Sequence, residues 1–444
     1  MERASYDVVI LGSGCGGISA AAMAVNSGYR TLLVERQSFL GGRCSSVYYK
    51  DFIIPTGAPW LGDDGPLAKL ARETGGNWEI RCPEPPQMFN IDGKDEAMPA
   101  KGGLMHIMSK AAGSEEEARK VMNAMRRALT WEEPSPLMSI WDWLHQYTSN
   151  PGIEMVFEWT AMHGTHLWEW PVSDFFKFFI VNMPFRRFGF APHGAIALMK
   201  SLGEAIEAKG GDIWKNCPAT RIKVEGGVAT GVVVERDGEL VEVEAKAVIS
   251  NVGPKGTVTL AGRESFDSSY LREVAESYRP IATTIVWFES KKPYHEYPGW
   301  YNVVKDGKLR PVFHMTNLCP ELAPPGKHLL SGGYRPDSCA LPYDASKGVE
   351  MAIWDARNFF PDFDKNCKML LAQTFWKDWP VQRSWPGYSL RTHKTPVEML
   401  YNVGDGVLPE GWSGTHACVE DSRRVMEDLA MRLKPAAAAA KSQA

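Results

Sequence analysis

Residues 6–45 constrain the chain more than any other stretch. An apolar β-branched run, a glycine turn, an Ala-rich helix, a second apolar run and a second glycine turn follow one another there. Tyr6 to Leu11 leads into Gly12-Ser13-Gly14-Cys15-Gly16-Gly17, which fits G-x-G-x-x-G at Gly12, Gly14 and Gly17. Gly12 permits the tight turn, Gly14 leaves room for a pyrophosphate against the backbone, and Gly17 lets the next helix lie close to the strand. That helix, expected over Ile18 to Ser27, aims its free N–H groups and positive dipole end at the same point. The strand Thr31 to Val34 then ends at Glu35, an acid placed to accept hydrogen bonds from both hydroxyls of an adenosine ribose. A glycine turn alone would carry little; the strand before it, the helix after it and the acid beyond make it a dinucleotide site.

Past Glu35 come Arg36, the turn Gly41-Gly42-Arg43, and Ser45. This continuation resembles the FAD-binding flavoproteins that include the amine oxidases, protoporphyrinogen oxidase and the phytoene desaturases, in which a Gly-Gly-Arg turn lies against flavin and pyrophosphate. The resemblance implies FAD rather than a nicotinamide cofactor. A second signal stands at the far end: an apolar strand Met399 to Val403, then Gly404-Asp405, then Trp412-Ser413-Gly414-Thr415-His416 opening a helix to about Leu433. An Asp at the end of a parallel strand suits the ribityl hydroxyls, and a helix N-terminus suits negative charge on the flavin N1/C2 edge. By resemblance the cofactor residues are Gly12, Gly14, Cys15, Gly16, Gly17, Glu35, Arg36, Gly42, Arg43, Gly404, Asp405, Ser413, Gly414 and Thr415, with the backbone around Ala219 against the adenine.

The fold implied is α/β: a discontinuous Rossmann-like FAD-binding domain with an α+β substrate domain and an aromatic-rich helical insert. The expected boundaries are 1–75, 192–262 and 390–434 for the three parts of the FAD domain, 76–191 for a helical substrate or cap region, and 263–389 for the substrate domain. Residues 435–444 read as a disordered tail. A length of 444 residues suits about two or three domains. A net charge of −4 offers no strong attraction to nucleic acid.

No basic segment precedes a long apolar one at the N-terminus, and no run of about 18 apolar residues occurs, so a cytoplasmic location is expected. Eight cysteines are scattered without a C-x-x-C pair, which reads as reduced thiols. His163 and His166 flank Gly164 without a supporting cysteine or carboxylate pattern, so no metal is expected.

The remaining elements are read from periodicity and turn residues. Residues 62–110 alternate helix and turn signals, with the Pro-rich connection 82–86 as the crossover out of the first domain. Glu115 to Leu129 reads as a surface helix. Six tryptophans from Trp131 to Trp170 and seven phenylalanines from Phe175 to Phe190 lie in helical segments broken at Pro151, Pro171 and Pro184. Three readings apply to them: a packed core, the lining of an apolar cavity, or, with Arg186-Arg187, an interfacial patch for peripheral membrane contact. A helix Ala195 to Lys209 and a strand Asp212 to Trp214 follow. The meander comprises Ala219 to Val224, Gly231 to Glu235 and Val241 to Glu244, with a separate strand Ala247 to Asn251. Beyond it, strands are expected at Thr283 to Phe288, Tyr301 to Val304, Val312 to Met315 and His328 to Gly332, and a helix over Ala345 to Phe359.

Three functions fit the resemblance. A desaturase, saturase or redox-neutral isomerase would exchange hydride with the flavin on an apolar isoprenoid, lipid-like or alicyclic substrate. A flavin amine oxidase is the second, although its signature Trp-Ser-Gly-Tyr supplies an aromatic wall where this chain has Thr415; Trp385 would be the other wall. A non-catalytic lipid carrier, like the Rab GDP-dissociation inhibitors of related fold, is the third, and a complete FAD site argues against it. His193 and His416, both at turns expected near the flavin, and the cation Arg391 are the candidate catalytic residues. A structural role for each is the competing reading. The direction of reaction is open.

Overall fold

The structure, a computed structural model, describes residues 5–161, 166–182, 184–277, 282–305, 308–334, 343–375, 390 and 392–435. Its centre is a parallel sheet. Strand β1 (Ser5–Leu11) is followed by helix α1 (Cys15–Asn26) and strand β2 (Thr31–Val34). Helix α2 (Gly194–Ala208) leads to β3 (Asp212–Trp214), and the chain then runs through β4 (Ala219–Glu225), β5 (Val228–Arg236) and β6 (Glu239–Ser250). The last parts to arrive are β7 (Leu400–Asn402) and α3 (Gly414–Arg432). The parallel strands run in the order β3-β2-β1-β6-β7, and β4-β5 extend the sheet antiparallel from the first half of β6.

Helices and further chain cover both faces of this sheet, which is why β1 is apolar at successive positions rather than alternating. Val8 and Ile10 pack on one side with α1, α2 and α3; Val9 and Leu11 pack on the other with β5 and β6. Each such side chain contributes roughly 1.5–3 kcal/mol on burial. The alanines of α1 follow from its place among the sheet, α2 and α3: Ala20, Ala21, Ala22 and Ala24 have no exposed surface, so nothing larger fits.

The expected meander strand and the strand after it are one element, β6. Its exposure alternates up to Lys246 and then ceases, because the same strand passes from a half-solvated edge into the covered interior. Helix α1 starts three residues earlier than expected, directly after Gly14.

Residues 87–97, read as helix and turn, instead form a hairpin, Gln87–Ile91 with Lys94–Ala97. Its first strand pairs in parallel with Trp300–Lys305. The expected cap and substrate regions therefore share a sheet. A second sheet, of His328–Tyr334, Thr283–Ser290 and Cys367–Phe375, carries the helix Ala345–Phe359 on one face through Val286 and Phe288; its third strand was not anticipated. The helices Gly103–Ala112, Glu115–Thr130, Ile140–Leu144, Pro151–Ala161 and Val172–Asn182 form the cap around Trp143, Phe157, Trp170 and Phe175. Among the described residues no helix is long and apolar enough to cross a membrane. His163, Trp385, Arg391 and the tail beyond Pro435 lie outside the described residues.

Candidate functional site

Three turns meet at the carboxyl ends of the parallel strands. In the first, Gly12 adopts φ +87° and its N–H donates to Val34 O at 2.8 Å. A Cβ on Gly17 would stand 1.8 Å from Gly12 O, so this glycine is required by the packing of α1 on β1, as its spacing implied. Gly14 precedes α1 without a side-chain cap, which leaves first-turn N–H groups to a ligand. The second turn places Gly41 at φ +99° and Gly42 at φ +54°, with Gly41 bridged to Gly14. The third, after β7, holds Gly404 at φ +95°, and a Cβ on Gly16 would come within 2.9 Å of its nitrogen.

Glu35 is buried at the end of β2. One of its oxygens accepts from Ser13 N–H at 2.8 Å and Ser13 O–H at 2.6 Å, the other from Gln37 N–H at 2.8 Å. A carboxylate has about four acceptor sites, so capacity remains for a ribose hydroxyl. Glu35 O also accepts from Cys217 N–H at 2.9 Å, which brings Cys217, Pro218 and Ala219 to the same end of the cavity. Burial depresses the Arg36 guanidinium.

At the other end Arg43 pairs with Asp405 at 2.7 Å. Behind them Cys418 donates to Asp405 at 3.7 Å. A hydrogen bond with Cys44, and then burial, push the Cys15 thiol well above its ordinary value, so it sits there as a thiol rather than a thiolate. Asp421, on α3 with no exposed surface, accepts from Gly404 N–H at 3.0 Å, and Ser422 O–H donates to Gly16 O at 2.8 Å. Burial raises the Asp421 carboxyl far above the carboxylate range, against the pull of Arg424 and Gly404 N–H.

Helix α3 opens at Ser413, whose hydroxyl is buried without a partner and makes no cap bond. Ser413, Gly414, Thr415 and His416 all line the cavity. The His416 ring lies 4.5 Å from Phe185 and 5.6 Å from Phe188, and burial lowers its pKa to about 4. It is therefore neutral near pH 7 and a weak base there, a wall of the cavity more than a proton acceptor.

His193 is a correction. It precedes α2 on the exposed surface, outside the cavity, because Gly194 at φ +71° packs inward on Ser46 and Ile53 and turns the preceding imidazole out. The Arg187 guanidinium pairs with Asp63 at 2.9 Å, and the backbone N–H of Arg186 donates to Asp64 at 2.8 Å.

These turns line one end of a cavity of about 3020 Å³, against roughly 300–1,000 Å³ for an ordinary ligand pocket. Beyond Trp60, Trp300 and Phe313 it runs into the cap, where Met98, Met105, Met122, Met125 and Met155 line it with Trp159, Phe178 and Phe179. Glu154 and Glu158 also face it, Glu154 lying 3.0 Å from His145. Sequence reasoning missed the methionines, Trp300 and Asn251. Only Asn251 carried a signal, as the residue just past a parallel strand.

FAD fits these residues. Two glycine turns packed so closely that a Cβ at Gly14, Gly16 or Gly404 would collide with Asn251, an unpartnered buried Ser413 hydroxyl at a helix start, and acids at both ends match a diphosphate flanked by ribose and ribityl hydroxyls.

Comparison with known proteins agrees with this geometry. A family model described as flavin-containing amine oxidoreductase matches residues 15–429. A phytoene desaturase of Cercospora nicotianae is 31% identical over 89 residues, 19% of this chain and 14% of that protein. Polyamine oxidase 2 of Arabidopsis thaliana is 32% identical over 78 residues, 17% of this chain and 16% of that protein. The chain thus matches only about a sixth or less of these curated relatives. Among solved structures, an oxidoreductase from Methanosarcina mazei superposes with TM-score 0.81 at 25% identity, covering 95% of this chain and 99% of that one. Putrescine oxidase bound to putrescine shares the fold, with TM-score 0.66 at 15% identity over 96% of this chain and 99% of that one.

Proposed function

The chain belongs to the flavin-containing amine oxidoreductase family, and on that premise we propose that it acts on carbon–carbon or C=C bonds of an apolar substrate. It is an FAD-dependent oxidoreductase. Bound FAD supplies hydride acceptance or donation at the flavin N5. In this reading Glu35 holds the adenosine ribose, Asp405 the ribityl chain, and the start of α3 favours negative charge at the flavin edge. Trp60, Trp300 and Phe313 exclude water from the reacting face.

The methionine-lined arm carries the proposal. Five flexible thioethers among aromatic rings suit a long, apolar molecule of variable shape. The Thr415 side chain supports it too, because threonine cannot provide the aromatic wall of an amine site. The exposed Trp131 and the exposed, cavity-lining Trp168 and Ile180 give such a substrate a peripheral entry from a lipid phase. An amine substrate is the second reading, favoured by Glu154 and Glu158 on one face of the helix Pro151–Ala161.

Anaerobic mixing of the flavin-loaded protein with two substrate panels tests this. One panel holds isoprenoids, fatty acyl and alicyclic compounds, free and in phospholipid vesicles; the other holds alkyl and polyamines. Bleaching of the flavin absorbance by an apolar compound supports the proposal, and bleaching by amines alone overturns it. Equal rates with and without vesicles argue against entry from lipid. If nothing bleaches the oxidised flavin, the same panels are mixed with chemically reduced protein. Substrate saturation or isomerisation then supports the reading, and no conversion overturns it.

A further inference from the structure

Asn251 is the first residue past β6, and five glycines from two separate turns close on it. A Cβ on Gly14, Gly16 or Gly404 would stand 2.6, 2.7 or 2.5 Å from its side-chain amide. One on Gly17 would stand 3.2 Å from its Cβ, and one on Gly12 would stand 3.6 Å from its carbonyl oxygen. The orientation that pairs both ends of this amide has its oxygen accepting from Gly14 N–H and its nitrogen donating to Val403 O, each at 3.2 Å. The Asn251 backbone N–H donates to Leu11 O at 2.9 Å, which fixes the residue against β1. The side chain also lines the cavity. One amide therefore spans the turn that meets the diphosphate and the turn that carries Asp405.

We propose that Asn251 is a positioning residue for FAD, setting the separation between the Gly12–Gly17 turn and the Gly404–Asp405 turn through one donated and one accepted hydrogen bond. The chemistry selects the residue type. A side chain here must accept from one turn, donate to the other, and carry no charge beside an anionic diphosphate. Alanine leaves Gly14 N–H and Val403 O without partners. An aspartate can still accept from Gly14, but it sets its second oxygen against the Val403 carbonyl and brings negative charge to the diphosphate. A protonated aspartic acid restores both hydrogen bonds and neutrality.

The test uses the flavin-loaded protein and the variants Asn251→Asp and Asn251→Ala. FAD release on dilution is followed by the rise in flavin fluorescence between about pH 5 and pH 8. At the upper pH, Asn251→Asp should weaken FAD retention about tenfold or more relative to wild type. That ratio should shrink toward one as the pH falls and the introduced carboxyl protonates. Asn251→Ala should be weakened by a factor that does not change with pH. Retention equal to wild type in Asn251→Asp at the upper pH overturns the proposal. So does a deficit of the same size at both ends of the range, which would mark an effect of shape alone. If Asn251→Ala does not fold by circular dichroism, Asn251→Asp at low pH carries the test, and failure of both to fold there overturns the role. In every case flavin bound by the wild type leaves the substrate reading untouched.

Discussion

Glu35 is where a single side chain bears most directly on cofactor affinity. It anchors Ser13 and Gln37 and has acceptor capacity turned to the cavity. Hydrogen bonds to a charged group are worth roughly 1.5–3 kcal/mol, so Glu35→Ala should weaken FAD binding on the order of 10- to 100-fold. The chain should still fold, as judged by far-UV circular dichroism, and full flavin occupancy at submicromolar protein would refute the ribose assignment. The glycines around Glu35 were legible in the sequence because each answers a local demand: a positive φ at Gly12, a closely approaching carbonyl at Gly17. The pair Arg43–Asp405 was not, because its members lie 362 positions apart and neither announces the other. His193 misled for a related reason. Proximity along the chain to a cofactor-facing helix does not say which way a side chain points, and Gly194 turns it to solvent.

Among elements, α3 does the most to assemble the site. Asp421 receives Gly404 N–H, Ser422 binds Gly16 O, and the first turn presents Ser413 to His416 to the cavity. Asp421→Asn keeps an acceptor for Gly404 and should leave thermal stability within about a degree or two of wild type. Asp421→Leu strands a buried N–H at a cost of about 1–3 kcal/mol and should lower the melting temperature while speeding FAD release. Equal melting curves for the two variants would show that Gly404 does not depend on this side chain. Helix α3 was legible because its apolar face, its Ser-Gly start and its preceding Gly-Asp turn coincide. The hairpin 87–97 was not, since its second strand, Lys94–Ala97, is largely charged and its first strand takes its place only beside Trp300–Lys305. The methionine arm escaped notice for the same reason: which face of a cap helix borders a cavity is decided by the other helices.

At the scale of the whole molecule, burial lowers the pKa of His295, His314, His328, His393 and His416 among the described residues. Their pKa values fall to about 4 for His295, His393 and His416 and to about 3 for His314. In the unfolded chain each takes up a proton near its ordinary value of about 6.5, so below that pH the unfolded state binds more protons than the folded one. Stability is fully present above about pH 6.5 and declines as the pH falls toward the folded-state values. The melting temperature should drop steeply between about pH 6.5 and pH 4.5. His314→Leu, which removes one such group away from the cavity, should make that slope shallower, and a slope unchanged from wild type would reject the assignment. The cradle itself has an order in time. Its first two glycine turns come from the first 45 residues, its third turn and closing helix from Gly404 onward. At synthesis rates of about 5–20 residues per second, the two are separated by roughly 20–70 s on the ribosome. The nascent chain thus emerges with half a cradle, and flavin loading must wait until the helix that closes it has been made.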